Sequence, residues 1–346
     1  MTHVLFLDHP EADFGSAVVF LGLHQLLGGD NVVDFPFKKS FHGEVHEYPS
    51  PYSRAVWPDD LSKIQPWQRP AIGAPDDIGK TGPFAWMPNL PGRAWSENEV
   101  LGGLRDKIFD FIVITPRLYN TDCLRHLTRK LGGPAALPPI ALLDGEDYQD
   151  IRWDYVDEFK PVVYLKRELL NNVNDSRCRV EPFPLASPIP ERPPVEKDID
   201  VLFLGGGTWP GRDSACNALR QAFGDKFVGG VGVHYNYPDY LDAIARAKVA
   251  VSVRGWGWDS LRRYEIPAMP GTLMVADRQP VIRPYDFNHG ENVLLFEDAR
   301  SLVENVREAL DNESKRAYIA ALGNVHLKHF HSAKARAKQL IASALR

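Results

Sequence analysis

Two glycine-broken segments hold the residue types best suited to binding a phosphorylated ligand. The first is Leu204–Arg212, Leu-Gly-Gly-Gly-Thr-Trp-Pro-Gly-Arg, which follows an apolar run and precedes a helical pattern around Ser214–Phe223. Gly205, Gly206 and Gly207 let backbone N–H groups approach a phosphate, and a helix N-terminus adds a favourable dipole. Arg212 adds a guanidinium able to grip an anion through two bonds. The spacing departs from G-x-G-x-x-G and lacks the Lys-Ser/Thr ending of a P-loop, so a tight turn is the competing reading. The second is Val253–Glu265, Val-Arg-Gly-Trp-Gly-Trp-Asp-Ser-Leu-Arg-Arg-Tyr-Glu. A strand runs into a loop there, and Asp259 or Ser260 is placed to cap a helix. Free N–H groups at that helix start could hold a diphosphate, with Arg262 or Arg263 neutralising it. Glu265 follows on the same helix, and its two carboxylate oxygens match the adjacent hydroxyls of a ribose. A surface helix with a solvated charged face is the plain alternative for Arg262, Arg263 and Glu265.

Such loops need parallel strands to aim them, and the apolar pattern supplies these. Val4–Leu7 is a short strand, Asp8–Ser16 a loop containing Gly15, and Ala17–Leu27 a helix ended by Gly28-Gly29. With a second strand over Asn31–Phe37 this opens a Rossmann-like unit. The rhythm breaks over residues 40–100, which are rich in Pro, Trp and Tyr; a stretch of this kind is either functional or a surface insertion. Strands resume at Phe109–Thr115, Pro139–Leu143 and Pro161–Leu165, with a helix at Thr121–Leu131. Loops after strand C-termini line the crevice of a parallel sheet, so Asp8–Ser16, Thr115–Asn120 and Asp144–Asp147 should face one side. Lys166-Arg167 follows the last of these strands.

Pro182–Pro194 is dense in proline, and residues 184–198 are the expected linker. The pattern then restarts. Strands are expected at Asp200–Leu204, Phe227–Gly232, Val249–Val253, Leu273–Ala276 and Asn292–Phe296. Helices are expected at Tyr240–Ala247, Ser260–Ala268, Ala299–Leu310, Glu313–Leu322 and Ser332–Leu345. The expected organisation is a Rossmann-like domain over 1–183, a second over 199–331, a cleft between them, and a last helix in 332–346 that crosses back to the first domain.

Composition sets the outer limits. The 346 residues are 44% hydrophobic and 25% charged, enough for two cored domains. A formal net charge of −5 gives no global attraction to nucleic acid or anionic membrane. The excess of acid lies before about Pro184. Cys123, Cys178 and Cys216 form neither a metal pattern nor a disulfide framework, which fits a reducing cytoplasm. The N-terminal residues read as a strand rather than a signal peptide, and no apolar run is long enough to span a bilayer.

The segment Tyr240–Leu340 resembles the C-terminal donor domain of the CgeB-like, spore-protein-type glycosyltransferases, distant relatives of the large retaining GT-B group. The resemblance runs through Tyr240–Ser252, Leu261–Ala268, Leu273–Asp277 and Pro284–Phe296, and ends loosely in His329–Arg336. It implies an α/β chain of GT-B architecture, two Rossmann-like domains facing across a cleft, with a nucleoside diphosphate sugar as donor substrate, a UDP-sugar first among them, and no bound cofactor or metal. It implies ribose binding by Glu265. Related enzymes often carry another glutamate where this chain has Gly257, so phosphate contact would pass to the backbone of Gly255–Asp259; Arg254, Gly255, Trp256, Gly257, Trp258, Asp259, Ser260 and Arg262 are the donor-binding candidates of this segment. Pro270 is an extra residue before Gly271. The nucleotide base would meet Tyr235 or Tyr237, with His234 nearby. In the first domain, Asp13, Gly15 and Ser16 would meet donor phosphates or acceptor. His9, Asp13, Asp144, Glu146 and Asp147 are candidates to activate an acceptor hydroxyl, which an inverting enzyme requires and a retaining one need not.

The resulting expectation is a cytoplasmic, metal-independent, retaining hexosyltransferase. Its acceptor is open: a glycan, a protein, a small molecule or a hydroxymethylated base in DNA. Two other readings compete. One is an NAD-dependent oxidoreductase, favoured by the Rossmann-like halves. The other is a non-catalytic nucleotide-binding or coat protein on the same fold.

Overall fold

A computed structural model describes residues 2–8, 13–42, 88, 90–116, 118–206, 210–233, 235 and 237–346. Most of the 40–100 segment, with His9, Gly207 and His234, lies outside the described residues.

The first sheet is built from short apolar runs: β1 Val4–Leu7, β2 Val32–Phe35, β3 Phe111–Ile114, β4 Ile140–Asp144, β5 Val163–Lys166 and, at one edge, β6 Arg179–Pro182. They pair in parallel in the order β2-β1-β3-β4-β5-β6. Both faces are covered, so β1 and β3 carry only apolar side chains. The flanking helices are α1 Phe14–Leu27, α2 Glu97–Arg105, α3 Leu118–Lys130 and α4 Trp153–Phe159. Asp13 caps α1 by accepting the Ser16 N–H at 3.0 Å. Ser96 and Glu99 close a capping box on α2.

The second sheet contains β7 Ile199–Gly205, β8 Phe227–Val231, β9 Ala247–Ser252, β10 Leu273–Asp277 and β11 Leu294–Phe296. Its order is β11-β10-β9-β7-β8, again parallel. Around it lie α5 Pro210–Phe223, α6 Tyr237–Arg246, α7 Arg262–Glu265, α8 Ala299–Asp311 and α9 Glu313–Phe330, followed by α10 Ala333–Ala344. In each sheet the order reverses beside one strand, β1 in the first and β7 in the second. The C-terminal ends of β1 and β3, and of β7 and β9, are therefore where crevices form.

Three of the expected segments differ from their predicted form. The helix expected over Ser260–Ala268 is only α7, starting after Leu261 with no side-chain cap. The helix expected over Glu313–Leu322 runs on to Phe330. The linker is not wholly exposed: Leu185, Ala186 and Ser187 are buried, and Ser187 bridges to Ser332.

α10 packs on the first domain. Ala333, Ala337, Leu340 and Ala344 join the core formed by Phe6, Val18, Phe20 and Phe183. Gly22 on α1 permits this contact, because a Cβ there would overlap the Ala333 carbonyl. Among the described residues no helix is long and apolar enough to cross a membrane.

Candidate functional site

The two sets of strand ends face each other across a cleft of about 420 Å³. Asp13, Gly15, Gly145, Glu146 and Asp147 line it from the first domain. Arg212, Gly255, Trp256, Gly257 and Ser260 line it from the second, and Leu185 lies between.

On the second-domain wall, Arg212 is buried and organises the two glycine loops. Its Nε donates to Arg254 O at 2.9 Å, Nη1 to Gly206 O at 2.8 Å and Nη2 to Val253 O at 3.3 Å. All three acceptors are neutral carbonyls, so the charge of the guanidinium is left to act on the cleft. Burial, and then the Arg262 cation, push its pKa down to about 10. Gly205 ends β7, and its carbonyl accepts the Gly232 N–H at 2.8 Å. Arg254 lies over the Trp258 ring and donates to Trp256 O at 3.1 Å. Its own backbone N–H is held by Asp277 Oδ2 at 3.1 Å. Trp256 is 69% exposed at the mouth of the cleft.

Arg262 opens α7. Its Nε and Nη1 are buried without a hydrogen-bond partner among the described residues. Unpaired buried donors of this kind are uncommon and mark a place that an anion can fill. Glu265 sits on the same helix, almost fully buried. Tyr237 Oη donates to its Oε1 and Tyr240 Oη to its Oε2, each at 2.7 Å. Burial raises the Glu265 pKa, against the two tyrosine hydrogen bonds and Arg262. Tyr237 is thus tied to Glu265. Tyr235 lines a separate hollow with Arg192 and Asp242, away from the cleft.

Several expected roles need correction. Asp259 does not cap a helix. Its carboxylate accepts from Arg283 Nε at 2.8 Å, Tyr264 Oη at 2.8 Å and the Leu185 N–H at 2.7 Å, which consumes it. Burial works against that charge, but Arg283 and Arg167 outweigh it and hold the pKa low. Ser260 is no side-chain cap either; its carbonyl accepts the Arg263 N–H at 3.0 Å. The Trp258 and Asp259 N–H groups are not free for a diphosphate, since the Glu168 carboxylate accepts both, at 2.9 and 3.0 Å. Ser16 is buried, and its N–H is spent on Asp13.

Asp144 is not poised at an acceptor. It is the last residue of β4, buried, and bonded to Lys166 Nζ at 2.9 Å, to the Tyr164 hydroxyl and to the Glu146 N–H at 3.0 Å. Its neighbours Glu146 and Asp147 do reach the cleft, Asp147 paired with Arg167. His9 and Gly207 lie outside the described residues. Among those described, no group of three or more His, Cys, Asp or Glu could hold a metal ion.

Arg167, Glu168, Tyr240, Asp277 and Arg283 are site-shaping residues that sequence reasoning did not assign. The basic pair Lys166-Arg167 at the end of β5 was the one visible signal. The acid beside it acquires meaning only when Trp258 is brought to it from 90 positions away.

Residues 194–342 match a family model described as glycosyl transferase-like. No curated protein matches the chain in sequence. Among solved structures, HepE of Anabaena with UDP has a TM-score of 0.54 at 10% identity, covering 99% of both chains. The same protein with UDP-glucose gives 0.51 at 9% identity, again over 99% of both. Sucrose-phosphate synthase from Thermosynechococcus elongatus gives 0.54 at 11% identity, over 99% of this chain and 98% of its own. At such identities the likeness is one of fold. Together with the parallel sheets and the cleft, these likenesses give the chain a GT-B fold, with residues 194–342 similar to the glycosyl transferase-like family.

Proposed function

We propose that the protein transfers a sugar from a UDP-sugar to an acceptor hydroxyl, with retention at the anomeric carbon and without a bound metal. The observation that carries this reading is the pair Arg212 and Arg262, on the helices that follow β7 and β9. Arg212 spends its hydrogen bonds on neutral carbonyls, and Arg262 keeps buried donors unpaired. Two such cations stabilise a leaving diphosphate where another enzyme would use a divalent ion. HepE, similar in fold, was crystallised with UDP and with UDP-glucose. That supports uridine as the nucleoside.

Glu265 is the proposed ribose ligand. A carboxylate offers about four lone-pair positions, so the Tyr237 and Tyr240 hydroxyls can share its oxygens with two ribose hydroxyls. The acceptor hydroxyl would enter from the Asp13–Gly15 and Gly145–Asp147 side. In the transfer step the bond from C1 to the phosphate oxygen breaks, a bond from C1 to the acceptor oxygen forms, and the acceptor proton passes to the departing phosphate. Asp144 is buried and Asp147 is held by Arg167, which takes both away from the role of a protein base. The cysteines are all free, which suits a cytoplasmic setting.

The test is calorimetric binding of UDP-, GDP-, dTDP- and CMP-sugars, with release of free nucleotide as the activity. UDP-sugar binding that weakens at least about tenfold in Glu265→Ala is expected, the loss of a buried charge-assisted pair. Unchanged affinity in that variant removes the ribose role. Binding without any nucleotide release, even across an acceptor screen, favours a non-catalytic nucleotide-binding protein instead.

A further inference from the structure

Glu168 is a fully buried acid that the donor contacts do not use. It lies two residues past β5, in the first domain, yet its hydrogen bonds reach the second. Oε2 accepts the Trp258 N–H at 2.9 Å and Oε1 the Asp259 N–H at 3.0 Å. Its neighbour Arg167 repeats the crossing. Arg167 Nη1 donates to Gly145 O at 2.7 Å and Nη2 to Asp259 O at 2.9 Å, while Nη2 lies 3.2 Å from Glu168 Oε1. Gly257 completes the seam. A Cβ at that position would overlap Asp147 Oδ1 and Glu168 Oε1, so first-domain carboxylates fill the space a side chain would take.

A carboxylate taken out of water is costly unless paired and hydrogen-bonded, and this one is both. The energy committed here fixes one thing: the register between the Gly255–Ser260 loop, which forms part of the donor wall, and the Gly145–Asp147 loop, which forms part of the acceptor wall. Resting on the donor reading above, we propose that Glu168 is a positioning residue for sugar transfer. By bonding the Trp258 and Asp259 N–H groups across the domain boundary, it sets the distance between donor and acceptor walls. It also turns those N–H groups away from the diphosphate, leaving that role to Arg212 and Arg262.

Arg212, Arg262 and Glu265 all belong to the second domain. Loss of Glu168 therefore spares donor affinity and harms the reaction geometry, where a misplacement near 1 Å costs about 100-fold at its worst. The experiment compares wild type, Glu168→Gln and Glu168→Ala. Three quantities are read: UDP affinity by calorimetry, the rate of UDP release from UDP-glucose, and the radius of gyration by small-angle scattering without ligand. In Glu168→Ala the expected result is UDP affinity within about threefold of wild type, release slowed at least about tenfold, and a larger radius of gyration. Glu168→Gln, which keeps one acceptor oxygen but turns an amide NH2 towards the second N–H, falls between. An unchanged radius, or a rate that drops only in step with UDP affinity, overturns the proposal. Should Glu168→Ala not fold, Gly257→Ala wedges the same seam from the other domain and must give the same split between rate and affinity; failure to do so is equally fatal. A wild type that binds no UDP sinks the donor reading, while the scattering comparison still decides the role of Glu168.

Discussion

The two walls of the cleft are built the same way and differ in the charged side chains gathered behind them. Both are loops at the C-terminal ends of parallel strands, beside the point where strand order reverses. The first domain presents the carboxylates of Asp13, Glu146 and Asp147. The second gathers Arg212, Arg254 and Arg262 around its glycine loops. An arginine wall suits a diphosphate, and a wall of hydrogen-bond acceptors suits a hydroxyl-bearing substrate. Topology therefore makes two crevices, and on the proposed reading side-chain charge assigns a substrate to each.

The strongest way to break this contrast is to disarm the basic wall. Arg212→Ala should lower kcat/KM for the donor by about 100- to 1,000-fold, as removal of a preorganised anion-stabilising donor does. Arg212→Lys should rescue little, because one ammonium cannot span the three carbonyls that Arg212 holds. Steady-state kinetics with UDP-glucose check both. On the acidic wall, Asp147→Asn frees Arg167 from its pair. The rate of UDP release should fall about tenfold while UDP affinity stays within about twofold, read as separate kcat and Kd changes. Equal losses in both would erase the distinction between the walls.

Folding stability answers to pH at the C-terminal end of α9. His331 ends α9, is fully buried, donates from Nε2 to Tyr285 O at 2.7 Å, and accepts from Arg336 at Nδ1. Burial first, and the Arg336 cation second, push its pKa down to about 3. An unfolded histidine protonates near pH 6.5, so on acidification the unfolded chain binds a proton the folded chain refuses. Stability is then fully present above about pH 6.5 and declines towards pH 3 by about 1.4 kcal/mol per pH unit from this residue. Urea midpoints between pH 7 and 4.5 should follow that slope, and His331→Gln should flatten it. The mildest probe is salt. UDP affinity should weaken about threefold between roughly 0.05 and 0.5 M NaCl, since a partly exposed basic wall is screened.

The alternation of apolar runs and helical stretches made the parallel sheets readable, because doubly covered strands such as Phe111–Ile114 need no polar face. β6 escaped notice for the opposite reason. As an edge strand, Arg179-Val-Glu-Pro182 is only half-buried and carries no apolar run. α2 was hidden by Gly102 and Gly103 and by the proline-rich segment before it, although Ser96 and Glu99 form a capping box. α4 is short, and its aromatic and acidic residues lack a strong helical stripe. In the site, the glycine loops and the arginines were legible because their chemistry is local. Asp144, Asp259 and Glu168 were not, because what each carboxylate does depends on a partner supplied from a distant stretch of chain: Lys166, Arg283 and Trp258 respectively.

The return of α10 to the first domain has a consequence for synthesis. Leu340 and Ala337 lie against α1, so the core started by Val4 waits for residues made after the entire second domain. At about 5–20 residues per second, that wait is roughly ten to thirty seconds on the ribosome. During it the groove on α1 that receives Ala333 stands open, an apolar surface for chaperones to cover. The order of maturation is thereby inverted: the domain that emerges first is the last to be sealed, and nascent chains halted before Ala333 should be cut by protease in the first domain while the second resists.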